Sequence, residues 1–180
     1  MTPATAIKRE LVRLLAAEMG DRATVCVVPP MRADIPVQES GSMVWAAIGT
    51  QIESTGELGV FGAGAPYRYD DTSTFEVIIQ AACQVPDGAQ DAIAAADASM
   101  AEADDLADEV LLKLLAILAS SPDLQVSTGG EGVPGIVVRD AVPTRVLRQG
   151  GRLGDSDMCA VAMVVEIEVV SMVYSEEIAA

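Results

Sequence analysis

The pattern of apolar and polar positions sharpens in the second half of the chain. Phe75, Val77, Ile79, Ala81, Cys83 and Val85 alternate with Glu76, Ile78, Gln80 and Gln84. That period of two predicts a half-buried strand, closed by the Pro86-Asp87-Gly88 turn. From Asp91 to Ala119 the period changes to helical. On a 100° wheel Met100, Ala103, Leu106, Ala107, Val110, Leu111, Leu114, Ile117 and Leu118 share one stripe, with Glu102, Asp105, Asp108, Glu109 and Lys113 outside it. A helix of that span is about 43 Å long. Glu109 and Lys113 have the spacing of an i,i+4 ion pair, and Ser120-Ser121-Pro122 ends the helix. Ile136–Val138 and Thr144–Leu147 then predict a strand pair, or one strand bent at Pro143, where proline implies an edge or a bulge. Last, Cys159, Val161, Met163, Val165, Ile167 and Val169 alternate with Ala160, Ala162, Val164, Glu166, Glu168 and Val170. The first set is the expected core face of a long strand.

The first half is less regular. Thr2-Pro3 reads as a cap with proline at the first helical position, and Ile7, Leu11, Leu14 and Leu15 follow at helical spacing. Gly20 is placed to end this helix in the left-handed region, and Thr24–Val28 reads as a strand stopped by Pro29-Pro30. Residues 29–74 are punctuated by ten Pro and Gly positions, with strand character at Met43–Ile48 and at Thr50–Ile52. We expect this segment to be an extended arm or β-hairpin that orders against a neighbour. The chain of 180 residues is expected to form a single domain, 1–180, containing that insertion. The expected fold class is α/β in the α+β sense: a mixed or mostly antiparallel sheet packed on one long and one shorter helix.

Composition then removes function classes. Hydrophobic residues make up 51% but aromatics only 3%, so the core must be aliphatic. Histidine is absent, which removes Ser-His-Asp and Cys-His catalysis and histidine-ligated zinc. Cys26, Cys83 and Cys159 form no CxxC pair and read as reduced core thiols. No catalytic residue, cofactor or metal is expected, and the chain does not read as an enzyme. A formal charge of −16 disfavours sequence-specific DNA binding and anionic membranes, while letting DNA slide past without sticking. The apolar runs are too short or too charged to span a bilayer, and the N-terminus has no signal-peptide core. A cytoplasmic site of synthesis is expected.

Isolated constellations are weak. Gly59-Val-Phe-Gly62-Ala-Gly64 has glycines spaced as a nucleotide loop might, but Ala65-Pro66 follows where a helix is required. Asp70-Asp71 and Asp155-Ser156-Asp157 read as solvated turn acids rather than cation ligands. Glu166 and Glu168 share one strand face, about 7 Å apart. Arg139, Arg145, Arg148 and Arg152 place four of the 11 basic residues in 14 positions, a cluster suited to acids on a neighbouring copy.

The order of these pieces resembles the tail terminator, or tail completion, proteins of long-tailed phages infecting actinobacteria. The resemblance rests on Trp45 with the Gly49–Gly59 stretch, and on Arg68 before Phe75–Cys83. It continues through the acidic Ala-rich helix ending in Ser-Ser-Pro-Asp-Leu124, then Val146–Gly150 and Ala160–Val173. The chain is longer and more acidic than many members. The resemblance implies a homohexameric ring that caps the tail tube, stops its polymerisation and offers a surface to the neck of the filled head. Its partners would be copies of itself, the tube protein and a head-completion protein, with DNA passing through the lumen. Its location would be the tail–neck junction of the virion, and the host cytoplasm during assembly. Candidate contact residues are Trp45, Gln51, Phe61, Tyr67, Arg68, Arg145, Arg148, Arg152, Glu166 and Glu168. A head-completion or other neck protein is the alternative within assembly, and a small ligand-binding or enzymatic α/β domain the alternative outside it.

Overall fold

The computed structural model describes residues 3–31, 35–38, 41–59, 68–124, 126–130, 133–153 and 157–174; for 3, 50–59, 68–69, 127–130, 133–135 and 173–174 the backbone alone is described. Two helices, α1 (Pro3–Met19) and α2 (Ala92–Ser120), accompany six strands: β1 (Thr24–Cys26), β2 (Ser42–Gly59), β3 (Arg68–Gln84), β4 (Ser127–Gly130), β5 (Val133–Arg152) and β6 (Met158–Tyr174). The strands form one sheet in the order β1-β2-β3-β6-β5-β4. Only the β1–β2 pair is parallel, so the sheet is mixed and mostly antiparallel, as the pattern predicts.

The alternation in the sequence sorts the two faces. Phe75, Val77, Ile79, Ala81 and Cys83 of β3 are buried with Val161, Met163, Val165, Ile167 and Val169 of β6. The α2 stripe lies on them: Ala103, Ala107, Val110, Leu114, Ile117 and Leu118 are all buried. Small residues set the close approach. A side chain at Gly150 of β5 would meet Met100 Sδ at 3.4 Å, so α2 sits against the backbone there. Ile7, Leu11, Leu15 and Met19 of α1 complete the layer, and Gly20 turns the chain at φ +55° into a short 3-10 turn.

Asp91 is the N-cap of α2 rather than its first helical residue. Its Oδ1 accepts from Ile93 N at 3.1 Å and Ala94 N at 3.0 Å, satisfying two of the donors that a helix start leaves open. We expect Asp91→Ala to cost about 1 kcal/mol, read as a lower midpoint in urea unfolding with unchanged slope.

Two local expectations are corrected, and a third is settled between its alternatives. Glu109 and Lys113 do not pair with each other. Glu109 takes Arg22, and Lys113 Nζ lies 3.2 Å from Glu18 Oε2, so both tie α2 to the α1 end of the molecule. Asp70-Asp71 is not a turn: both residues belong to β3, and Asp71 is buried with Ser73 Oγ donating to its Oδ2 at 2.8 Å. An Asp at an inward position of a strand is hidden from periodicity because it breaks the apolar alternation. The region around Pro143 is one strand, β5, with register shifts at Val138/Asp140 and Pro143/Arg145. Because β4 pairs only with residues 133–137, Pro143 sits both at a bulge and where β5 forms the sheet edge.

Of residues 29–74, positions 42–59 form β2 and 68–74 open β3. The two strands pair as a hairpin from Ser42↔Cys83 to Gly59↔Arg68, whose tip at 60–67 lies outside the described residues.

Candidate assembly surface

The helices cover one face of the sheet. Among the described residues the other face is covered at one end only, where Ile35 from the 35–38 segment packs with Met43, Ala82, Met158 and Ala160, and Trp45 leans on that group. Beyond it the register lays down rows across four strands. Ala47, Ile78, Val164 and Leu147 form an apolar row, and Glu76, Glu166 and Arg145 form the next. Like charges directly opposite, as at Glu76↔Glu166, destabilise a sheet. Here Arg145, 3.5 Å from Glu166 Oε1, offsets that repulsion. Gly49 lies beside Glu76, and a Cβ at Gly49 would come within 3.1 Å of the Glu76 carbonyl oxygen. A further row sets Glu168, exposed, between Thr74 and Val142. This face therefore carries one apolar row beside two adjacent rows that hold glutamates, with the neutral Gln80, Ala162 and Gln149 row on the other side.

The arginine cluster divides between the faces. Arg145 lies on the open face with Glu166. Arg148 reaches the helix side, where Nε and Nη2 donate to Asp104 Oδ1 at 3.1 and 2.6 Å, and Nη1 donates to Asp108 Oδ1 at 3.0 Å. The hydrogen bond to Asp104, with the charges of both aspartates, holds the guanidinium proton more tightly than usual against the opposing effect of partial burial. Arg139 Nη2 lies 3.7 Å from Asp70 Oδ1. Arg152 is exposed at the end of β5 and lines a shallow hollow of about 170 Å³ with Gln80, Gln149, Leu153 and Ala162.

The structure thus brings Arg145 and Glu166 together and sets Glu168 two positions further along the same strand face. Trp45 is partly buried rather than fully presented. Gln51 pairs with Phe75 across the hairpin, and Arg68 starts β3 opposite Gly59 and Tyr174, while their side chains are not described. Phe61 and Tyr67 lie outside the described residues, as do Val60–Gly64 of the glycine-rich stretch and Asp155-Ser156. Sequence reading missed Glu76 as the partner in the acidic row. The signal was present, since the paired strand Glu166 lies on also alternates, but register is set by pairing and is not visible in one strand alone.

Cys83 and Cys159 are buried and directly paired across β3 and β6, while Cys26 is half-buried. Cys26 Sγ donates to the Ala46 carbonyl at 3.6 Å and Cys159 Sγ to that of Ala96 at 3.4 Å. Burial, then the charge of Glu102 and the neighbouring Cys159, pushes the Cys83 thiol up to about 11. Burial also raises Cys26, opposed by a backbone hydrogen bond at Val28. We expect Cys26 to react first with a thiol reagent in the native protein, and Cys83 and Cys159 only on unfolding. As pH rises from the ordinary thiol value of 9.0 toward 11, the unfolded chain loses the Cys83 proton while the native chain keeps it. Stability therefore falls across that window, measurable as a falling denaturant midpoint.

No family model matches the chain and no curated protein matches it. Among solved structures it is similar to a chain of the "virion of native gene transfer agent (GTA) particle", with 13% identity, TM-score 0.40 and coverage of 93% of this chain and 94% of that one.

Proposed function

We propose that this protein is a structural component of a phage virion, a ring-forming cap that ends the tail tube and presents a surface to the head. One observation carries the reading: a sheet of strands up to 20 residues long is covered by helices on one face only. Its other face carries an apolar row, open at Leu147, beside rows that hold Glu76, Glu166 and Glu168, a mixed surface suited to being covered by a neighbour. The sequence resemblance adds the tail terminator role. In that role the tube protein meets one end of the ring, a head-completion protein meets the other, and an acidic wall lets DNA pass through the lumen without adhering. The task is termination of polymerisation by binding, with no chemical step.

Electron microscopy of tails assembled with and without the protein tests this. Tubes of uncontrolled length in its absence are the expected result. Tails of normal length that fail to join heads would replace termination with a joining role, and a protein that sediments as a monomer even with tube protein present would remove the ring.

A further inference from the structure

We propose that copies of this chain join edge to edge, residues 145–152 of β5 in one copy adding antiparallel to residues 49–59 of β2 in the next. This names the subunit contact of the ring proposed above and rests on that reading. The topology supplies two unpaired edges among the described residues. β1 covers β2 only at 45–47, and β4 covers β5 only at 133–137. The uncovered stretches lie at opposite ends of the sheet, because 51–59 is level with the 68–75 end of β3 and 145–152 with the 76–83 end. Each copy therefore has a step on either side, and pairing 145–152 with 49–59 shifts successive copies by about seven or eight residues along the strands, roughly 25 Å. Polarity agrees too. Three successive antiparallel pairings separate β2 from β5, so they run oppositely, and two copies in the same orientation meet as antiparallel neighbours.

The backbone of β5 is presented for this. Leu153 N donates to Met158 O at 3.0 Å, which makes 153/158 a hydrogen-bonded pair. Register is unbroken from Arg152↔Cys159 to Arg145↔Glu166. Alternation along that ladder turns the N–H and C=O groups of Val146, Arg148, Gly150 and Arg152 outward. The edge is also apolar where it is open, with Val146 44% and Leu147 45% exposed. Charge adds a smaller term. Arg139, Arg145 and Arg148 already pair with acids of their own copy, which leaves Arg152 as the cation of this edge, whereas 49–59 holds Glu53 and Glu57 and no basic residue. Arg148, fixed to Asp104 and Asp108, holds β5 against α2 and keeps the edge straight for addition. Such a contact is heterologous, so it propagates around a ring, and tilt of the strands absorbs the stagger between copies, as in a barrel.

The test uses sedimentation of three forms of the full chain. Val146→Pro removes an outward N–H while leaving the β6 ladder intact, and proline is tolerated on an edge. Its self-association should weaken by about 10-fold, the equivalent of one lost backbone bond. E53K/E57K disables the other edge and should give the same loss. Mixing the two variants should restore a 1:1 dimer and nothing larger, because each keeps one working edge. Wild-type oligomers that survive Val146→Pro, or a mixture that stays monomeric, would overturn the pairing. Should Val146→Pro fail to fold, amide exchange on the wild-type protein decides: Val146, Arg148, Gly150 and Arg152 should be protected in the oligomer and not in the dilute monomer, and equal exchange in both refutes the contact. A wild-type ring without this edge leaves the cap reading standing, whereas a wild-type monomer in the presence of tube protein removes both.

Discussion

Phe75→Ala should lower the unfolding free energy by about 3–5 kcal/mol, the largest loss expected from a single truncation in this chain. Phe75 is fully buried and is one of only two phenylalanines. It sits in β3, opposite Ile167 of β6 and Gln51 of β2, where the helix-covered core gives way to the stretch carrying Asp71 and Ser73. It belongs to the aliphatic core. The β6 ladder beside it is unbroken, while the β2 ladder shifts register on either side of Gln51. The continuous β6 side limits collapse into the space, so most of the cavity term should remain. Equilibrium urea unfolding followed by circular dichroism measures it, and a loss below about 1.5 kcal/mol would mean that the site repacks, as tolerated core exchanges do.

The second large effect is expected at Leu124, where the usual order of two substitutions should reverse. Leu124 has φ +49°, the left-handed region, and is fully buried. It follows the α2 terminus, with Leu124 N donating to Ser121 O at 2.9 Å and Val126 N to Asp123 O at 3.1 Å. This turn directs Val126 into the core and the chain into β4. Leucine in that conformation costs about 1–2 kcal/mol, outweighed by what its burial contributes. Leu124→Ala removes the burial and keeps the strain, at a cost of about 2–5 kcal/mol. Leu124→Gly removes both, so it should be less destabilising than alanine by about 1 kcal/mol. Thermal unfolding of the two variants compares them directly, and an alanine variant more stable than the glycine one would show that the strain is not there.

How much of this was legible depended on whether local pattern and tertiary role agreed. The α2 stripe, the core alternation of β6 and the inner half of β3 could be read residue by residue, because burial alone dictates those periods. The first half of β3 could not. Its inward positions are Asp71 and Ser73, buried beside Ser171, whose Oγ has no partner among the described residues. Strand β2 past Ile48 was legible only as strand character at Thr50–Ile52 and as an expected hairpin. Its run to Gly59 was hidden, since Gly49, Gln51, Glu53, Ser54 and Gly56 carry no apolar alternation, and the strand is held by its β3 partner through two register shifts. For the candidate surface, the sequence placed Glu166 and Glu168 on one face. Period two alone sets Arg145 and Arg148 on opposite faces of β5, but that Arg145 stands opposite Glu166 follows from the pairing of β5 with β6, which neither strand shows by itself.

The uninterrupted pairing of β3 with β6, from Arg68↔Tyr174 to Gln84↔Met158, also has a mechanical meaning. A pull along the strands loads the whole ladder in shear, so its hydrogen bonds resist together. A pull across the sheet meets them one at a time, beginning at β1, which holds on through three residues. The subunit is thus stiff along its strands and yielding across them.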